Sequence, residues 1–206
     1  MPRRLPLLAD RSIQEAHAEK LRIAAEFERG VLSEGKVSCH AGCSNCCYYP
    51  LTISILEGIN IYQWLAKNHL WTPKLKASFQ EAKDKTWDLA PEIWLLSMIP
   101  CPLLDEQNRC SAYEVRPLLC RTVYSRGDPY YCHPHRLGSS LTGILSRILE
   151  VDELHLQEAK ILKRHRLKPL QVSLAAAVLL GERIVKKEVD LEETNSTLLQ
   201  EYVQRL

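Results

Sequence analysis

The sequence predicts a mainly α fold in which an irregular cysteine-rich module is packed between helical flanks. Three observations lead there. All eight cysteines fall between residues 39 and 132. The segments on either side hold none and carry the 3.6-residue apolar spacing of amphipathic helices. Strand signals are confined to the short β-like run from Tyr48 to Ile53. The chain divides on this basis into an N-terminal helix within 1–36, a cysteine-cluster module over 37–136 that includes two helices, and a helical region over 137–206.

The first helix is expected over 13–29. Ser12 and Glu15 have capping-box spacing, the run to Arg29 is rich in helix formers, and Gly30 supplies a left-handed stop. Ser54 and Glu57 repeat the capping-box spacing, and Ile55, Ile59, Tyr62 and Leu65 share one helical face, so a second helix leaves the first cysteine cluster directly. Thr72 and Pro73 form an N-cap and N1 pair that opens a third, heavily charged helix ending near Leu89, before Pro91. From Ile99 to His135 prolines, cysteines, arginines and tyrosines follow one another without periodicity, so local propensity cannot hold this stretch and it needs ligands. Beyond Gly138 the stripe Leu141, Ile144, Leu145, Ile148 and Leu149 predicts a helix, with others near 152–166, 170–187 and 191–205.

Composition narrows the function. At 206 residues the chain can bury a core without crosslinks. The N-terminus lacks the apolar stretch of an export signal, because Pro6 and Asp10 interrupt it. The longest apolar run, Leu174 to Leu180, is far short of the roughly 20 residues of a membrane span. A cytoplasmic location is expected, where thiols stay reduced and clustered cysteines hold metal more often than each other. The net charge of +2, from 27 basic and 25 acidic residues, makes nucleic acid an unexpected partner. Lys160, Lys163, Arg164, Arg166 and Lys168 form a basic run, but it ends a helix that opens with Asp152 and Glu153, which is the pattern the helix dipole favours. No phosphate-cradling glycine loop, Ser-His-Asp order or paired carboxylate motif stands out.

The chemistry therefore rests on the cysteines. Cys39, Cys43, Cys46 and Cys47 put four thiols within nine residues, and the two-residue gap between Cys43 and Cys46 lets both sulfurs turn onto one ion. Gly42, Ser44 and Asn45 permit the sharp reversal such a knuckle needs. Adjacent Cys46 and Cys47 diverge in an extended backbone, so they are expected to face different metal positions. Cys101, Cys110, Cys120 and Cys132 follow, the last with His133 and His135 beside it. These eight thiols suffice for two four-coordinate sites, with Zn²⁺ or iron as the metal. Arg109, Arg116, Arg121 and Arg126 lie among the later cysteines and suit the offset of negative thiolate charge.

The string Cys39-x₃-Cys43-x₂-Cys46-Cys47, followed by Pro50-Leu51-Thr52 and a helix carrying Glu57, resembles the start of the CxxCxxCC cysteine-cluster proteins of YkgJ type, a zinc- or iron-chelating domain. Pro100-Cys101-Pro102-Leu103-Leu104, Cys110-Ser111-Ala112-Tyr113-Glu114-Val115-Arg116-Pro117 and Cys120-Arg121 resemble its second half. The resemblance covers about residues 37–125. It implies Cys39, Cys43, Cys46, Cys47, Cys101, Cys110 and Cys120 as ligands and leaves Cys132 outside its pattern. Enzymatic members resemble longer flagellin lysine N-methylases.

Two readings follow. In the first, the metal is structural and the helices present a surface to an unidentified protein partner. In the alternative, iron or a [4Fe-4S] cluster is reactive, in a chemistry such as SAM-dependent protein methylation. Cys39-x₃-Cys43-x₂-Cys46 has the spacing of the radical SAM cluster loop, but helices follow it here instead of a barrel.

Overall fold

The structure, a computed structural model, describes residues 11–35, 37–125, 128–136, 144–145, 148–165 and 170–189. The described chain is mainly α. Its helices are α1 (Arg11–Ser33), α2 (Ile55–Lys67), α3 (Pro73–Thr86), α4 (Pro91–Leu96), α5 (Leu118–Thr122), α6 (Ile148–Arg164) and α7 (Leu174–Val185). Its strands are β1 (Thr52–Ser54), β2 (Tyr124–Ser125), β3 (Ile144–Leu145) and β4 (Gln171–Ser173). Among the described residues no helix is long and apolar enough to cross a membrane.

The centre of the fold is a pair of matching strand-to-helix turns. β1 pairs antiparallel with β4, Thr52 opposite Ser173 and Ser54 opposite Gln171. Each strand runs straight into a helix capped by its own serine. Ser54 Oγ accepts from the Glu57 N–H while the Glu57 carboxylate accepts from the Ser54 N–H, which completes the capping box anticipated for α2. Ser173 Oγ accepts from the Ala176 N–H at the start of α7. The two helices then touch through glycine. A Cβ on Gly58 would lie 2.2 Å from the Ala177 carbonyl oxygen, and one on Gly181 would lie 2.7 Å from the Ile59 nitrogen. Around this crossing Ile53, Ile59, Ile61, Leu65, Phe79, Leu103 and Val178 form the main core. A second core joins Ile13, Ala16 and Ile23 of α1 to Leu56, Leu118, Leu154 and Ile161, so the first and sixth helices close over the cysteine-bearing segment.

Several expectations change. Helix α1 runs through Gly30 to Ser33, and the left-handed glycine after it is Gly35. Ser12 lies within α1 instead of capping it. The third helix ends at Thr86, before Leu89, and α4 was not anticipated. The stripe from Leu141 to Leu149 is not one helix: Ile144 and Leu145 pair with Ser125 and Tyr124, and α6 begins at Ile148. Two apolar neighbours fit a short strand as well as a helix face, and the open edge of Tyr124–Ser125 decides between them. The helix expected from 170 starts at Leu174, because Gln171–Ser173 serve the ladder. Leu141, Arg126 and the helix expected over 191–205 lie outside the described residues.

Candidate metal centre

The first four cysteines sit on two tight reversals. Gly42 takes φ +87°, which a side chain disfavours, and the Cys43 N–H bonds the His40 carbonyl at 3.0 Å. A 3₁₀ turn over Asn45–Tyr48 then carries Cys46 and Cys47, with the Cys47 N–H on the Ser44 carbonyl at 2.9 Å. The sequence predicts an extended pair with diverging side chains; Cys46 and Cys47 instead lie on this 3₁₀ turn, and their side chains are hydrogen-bonded to each other.

The later cysteines are brought back to this turn by backbone bonds. The Cys101 N–H donates to the Cys47 carbonyl at 2.8 Å. From there a small loop folds on itself: Leu104 bridges Cys110, the Ser111 N–H meets the Leu103 carbonyl at 2.8 Å, and Asp105 Oδ1 accepts from the N–H groups of Gln107 and Arg109. Cys120 rides on α5. The N–H of Leu118, which opens α5, donates to Glu57 Oε1 at 2.8 Å, so the buried carboxylate that caps α2 also fastens the helix bearing Cys120. Cys132 is held against the first turn, with Tyr49 Oη donating to its carbonyl at 2.5 Å and Asn45 Nδ2 to that of Pro129 at 2.7 Å.

All eight cysteines are free thiols. Their electrostatic neighbours separate them into two neighbourhoods that meet at Cys46. Burial raises the Cys39 thiol, the Ser125 N–H at 3.3 Å opposes this, and Cys43, Cys46 and Cys132 raise it further. Burial likewise raises Cys43, with the Asn45 N–H opposing and Cys46 and Cys132 adding. In the other neighbourhood burial pushes Cys101 up to about 12, with Cys110 and Cys46 adding to it. Burial holds Cys120 well above the ordinary range, helped by Cys101, Cys46 and Cys110. Cys47 is raised by its hydrogen bond to Cys46, by burial, and by Cys46, Cys101 and Cys120. Cys46 alone falls, to about 7: it accepts the Cys47 hydrogen bond, and the Arg116 guanidinium adds to the effect against burial.

Burial and mutual repulsion thus raise most of these thiols. Their backbone is nevertheless prepared for thiolate. Cys43, Cys101 and Cys110 each accept from the N–H two residues on, of Asn45, Leu103 and Ala112, and Cys39 accepts from Ser125. N–H groups aimed at sulfur favour its charged form. Beside Cys132, the buried Nδ1 of His133 has no partner among the described residues, and imidazole nitrogen suits the same metals. The donor set therefore fits Zn²⁺ or iron. Among the described residues no three His, Cys, Asp or Glu side chains already converge as a metal-holding group.

The arginines divide. Arg116 helps to lower Cys46 and opposes the rise that burial gives Cys110. Arg121 instead turns to the Glu114 and Arg116 carbonyls and to Glu28. Glu28, on α1, receives Arg116, Arg121 at 2.8 Å and Tyr124 Oη at 2.7 Å. Sequence reasoning missed this clamp, since one glutamate on a charged helix carries no signal. Arg109 is exposed and bonds Asp105 and Gln107.

Residues 38–136 match the CxxCxxCC family, described as "Putative zinc- or iron-chelating domain". This segment is a CxxCxxCC domain. The match begins one residue before Cys39 and runs past Cys132, so the CxxCxxCC domain spans all eight cysteines, including the one outside the string recognised in the sequence. The chain matches no curated protein and no solved structure.

Proposed function

We propose that the CxxCxxCC domain holds two Zn²⁺ or iron ions in structural sites closed by protein ligands, and that the surrounding helices present a surface to a protein partner. The first site draws on Cys39, Cys43, Cys46 and Cys132, the second on Cys47, Cys101, Cys110 and Cys120. The observation that carries this reading is the pair of thiol neighbourhoods meeting at Cys46 and Cys47. When bound, a dication supplies the positive charge that keeps clustered thiolates deprotonated.

The chain's own groups do the rest. Backbone N–H groups of Asn45, Leu103, Ala112 and Ser125 orient the sulfurs, and Arg116 offsets surplus negative charge at Cys46 and Cys110. A site of this kind ties together residues 99–125, where the described helix and strand, α5 and β2, are only five and two residues long. Ile93 and Leu96 of α4, 54% and 59% exposed, supply an apolar part of the partner surface.

The test is removal of metal. Structural thiolate sites supply roughly 10–16 kcal/mol of apparent binding energy, comparable to a domain's whole stability. A strong chelator should therefore release fast amide exchange over residues 101–125 while α2 and α7 stay protected. Exchange in 101–125 that remained as slow after all metal was gone would rule out a structural role.

A further inference from the structure

A second polar site lies apart from the thiols. Between α1, α2 and the stretch 115–121 lies a small cleft open to solvent, and no cysteine lines it. Its polar lining is His17 and Lys20 of α1, Glu57 and Asn60 of α2, and Arg116 and Arg121. His17 and Lys20 are three residues apart and so share one face of α1.

Two of these side chains are incomplete. Among the described residues Arg116 Nε and His17 Nδ1 are both buried without a hydrogen-bond partner, although Arg116 Nη2 is engaged by Glu28 and by Tyr124 Oη. A guanidinium Nε–H can only donate, so what completes it must be an acceptor. The charges around His17 are balanced, since Lys20 pairs with Glu57 and Glu158 and Arg121 with Glu28. Lys20 of α1 and Arg121 of α5 face it as cations, and Glu57 of α2 is the one anion among the groups acting on it. Burial, then Lys20, brings the imidazole down to about 4, so at neutral pH the uncharged ring can carry its proton on Nδ1 as a second donor.

We propose that this cleft binds the oxyanion head of a small ligand, a carboxylate or a phosphate, through Arg116 Nε–H, His17 Nδ1–H and the Asn60 carboxamide. Acceptor oxygens complete both orphaned donors. The open side leaves the remainder of the ligand in solvent. Arg116 also acts on Cys46 and Cys110, so an occupied cleft and the thiol groups share one side chain. The proposal does not rest on the metal reading.

The test titrates the full metal-loaded chain with inorganic phosphate and, separately, acetate, at constant ionic strength with chloride as the background anion. The His17 ring is followed by NMR. The expected result is a saturable movement of the His17 signals and an upward movement of its titration from about 4, since a bound anion favours the imidazolium. His17→Leu, which touches no ion pair, should weaken binding about tenfold or more, as should Arg116→Lys, which keeps the charge and loses Nε–H. Saturation by phosphate alone or by acetate alone identifies the head group, and either supports the site. If neither anion saturates, or if His17→Leu binds as tightly as the parent chain, the cleft holds water only and the proposal is wrong. The metal-to-protein ratio of the same samples shows separately whether the thiol sites are intact.

Discussion

Lys20 offers the sharpest test of how the N-terminal helix is fastened to the cysteine domain. Its ammonium is 4% exposed and faces three acceptors: Glu158, Glu57 Oε1 at 3.3 Å and Ser54 Oγ at 3.2 Å. The two glutamates are themselves buried. At an effective dielectric of about 20, opposite charges 3.3 Å apart attract by about 5 kcal/mol. Substituting Lys20→Met leaves two buried carboxylates without their cation, and removing one partner of a buried pair costs about 3–5 kcal/mol. That is a large share of the roughly 5–15 kcal/mol that holds a domain together. The pH dependence has a definite sign. Burial pushes the Glu57 carboxyl up, but Lys20, the Leu118 N–H and the Ser54 N–H outweigh it and hold it below its ordinary value. A depressed folded value gives stability that is present above the carboxylate range and is lost as pH falls through that value. Without Lys20 the burial is far less opposed, so the deficit should be greatest at neutral pH and shrink toward pH 5. Urea unfolding of the metal-loaded chain at both pH values measures it. A loss under about 1 kcal/mol at neutral pH, or a deficit indifferent to pH, would refute the reasoning.

Other outcomes follow from single contacts. Gly58→Ala gains about 1 kcal/mol of helix propensity, yet its Cβ meets backbone atoms of Ala177 at 2.2 and 2.4 Å that no rotamer change can move. The helices must part, at a net cost of about 2 kcal/mol or more, read as a lowered thermal midpoint. Glu28→Gln removes a charged acceptor from Arg116, Arg121 and Tyr124, so amide exchange over Tyr113–Ser125 should quicken by the equivalent of about 2–3 kcal/mol while α7 is unaffected. Metal content should fall as the solution is acidified, because burial holds Cys39, Cys43, Cys101, Cys110 and Cys120 above the ordinary thiol range and protons compete for them. Mass spectrometry of metals after dialysis across a pH series measures this.

The sequence was readable where the determinant is local. Ser54 with Glu57, and Thr72 with Pro73, mark the starts of α2 and α3 because a cap is made by residues three apart. The thiol pattern was readable for the same reason: Gly42 and the Cys43–Cys46 gap sit within one turn. Contacts across the chain left no such trace. β1 and β4 are three residues each, too short to show alternation, and they pair only because two distant strand-to-helix turns meet. Lys20, Glu28 and Glu158 look like surface charges until the second core buries Lys20 and Glu158 beside Glu57 and half-buries Glu28 against the arginines. Cys132 lies outside the string of the other seven, and only its contacts with Tyr49 and its charge on Cys39 and Cys43 bring it to the first group.

The division of eight thiols between two ions is tested most directly by the metal-to-protein ratio of Cys→Ser variants purified without oxygen, with iron, zinc and sulfide all quantified. The parent chain should carry two ions. Cys132→Ser, changing the first group, and Cys101→Ser, changing the second, should each retain about half the metal under that two-site count. Cys46→Ser should lose most of it, because the Cys43–Cys46 knuckle of the first site loses a sulfur and the second site's Cys47 loses the sulfur it is hydrogen-bonded to. Full loading in Cys46→Ser, or in both Cys101→Ser and Cys132→Ser, would contradict the account.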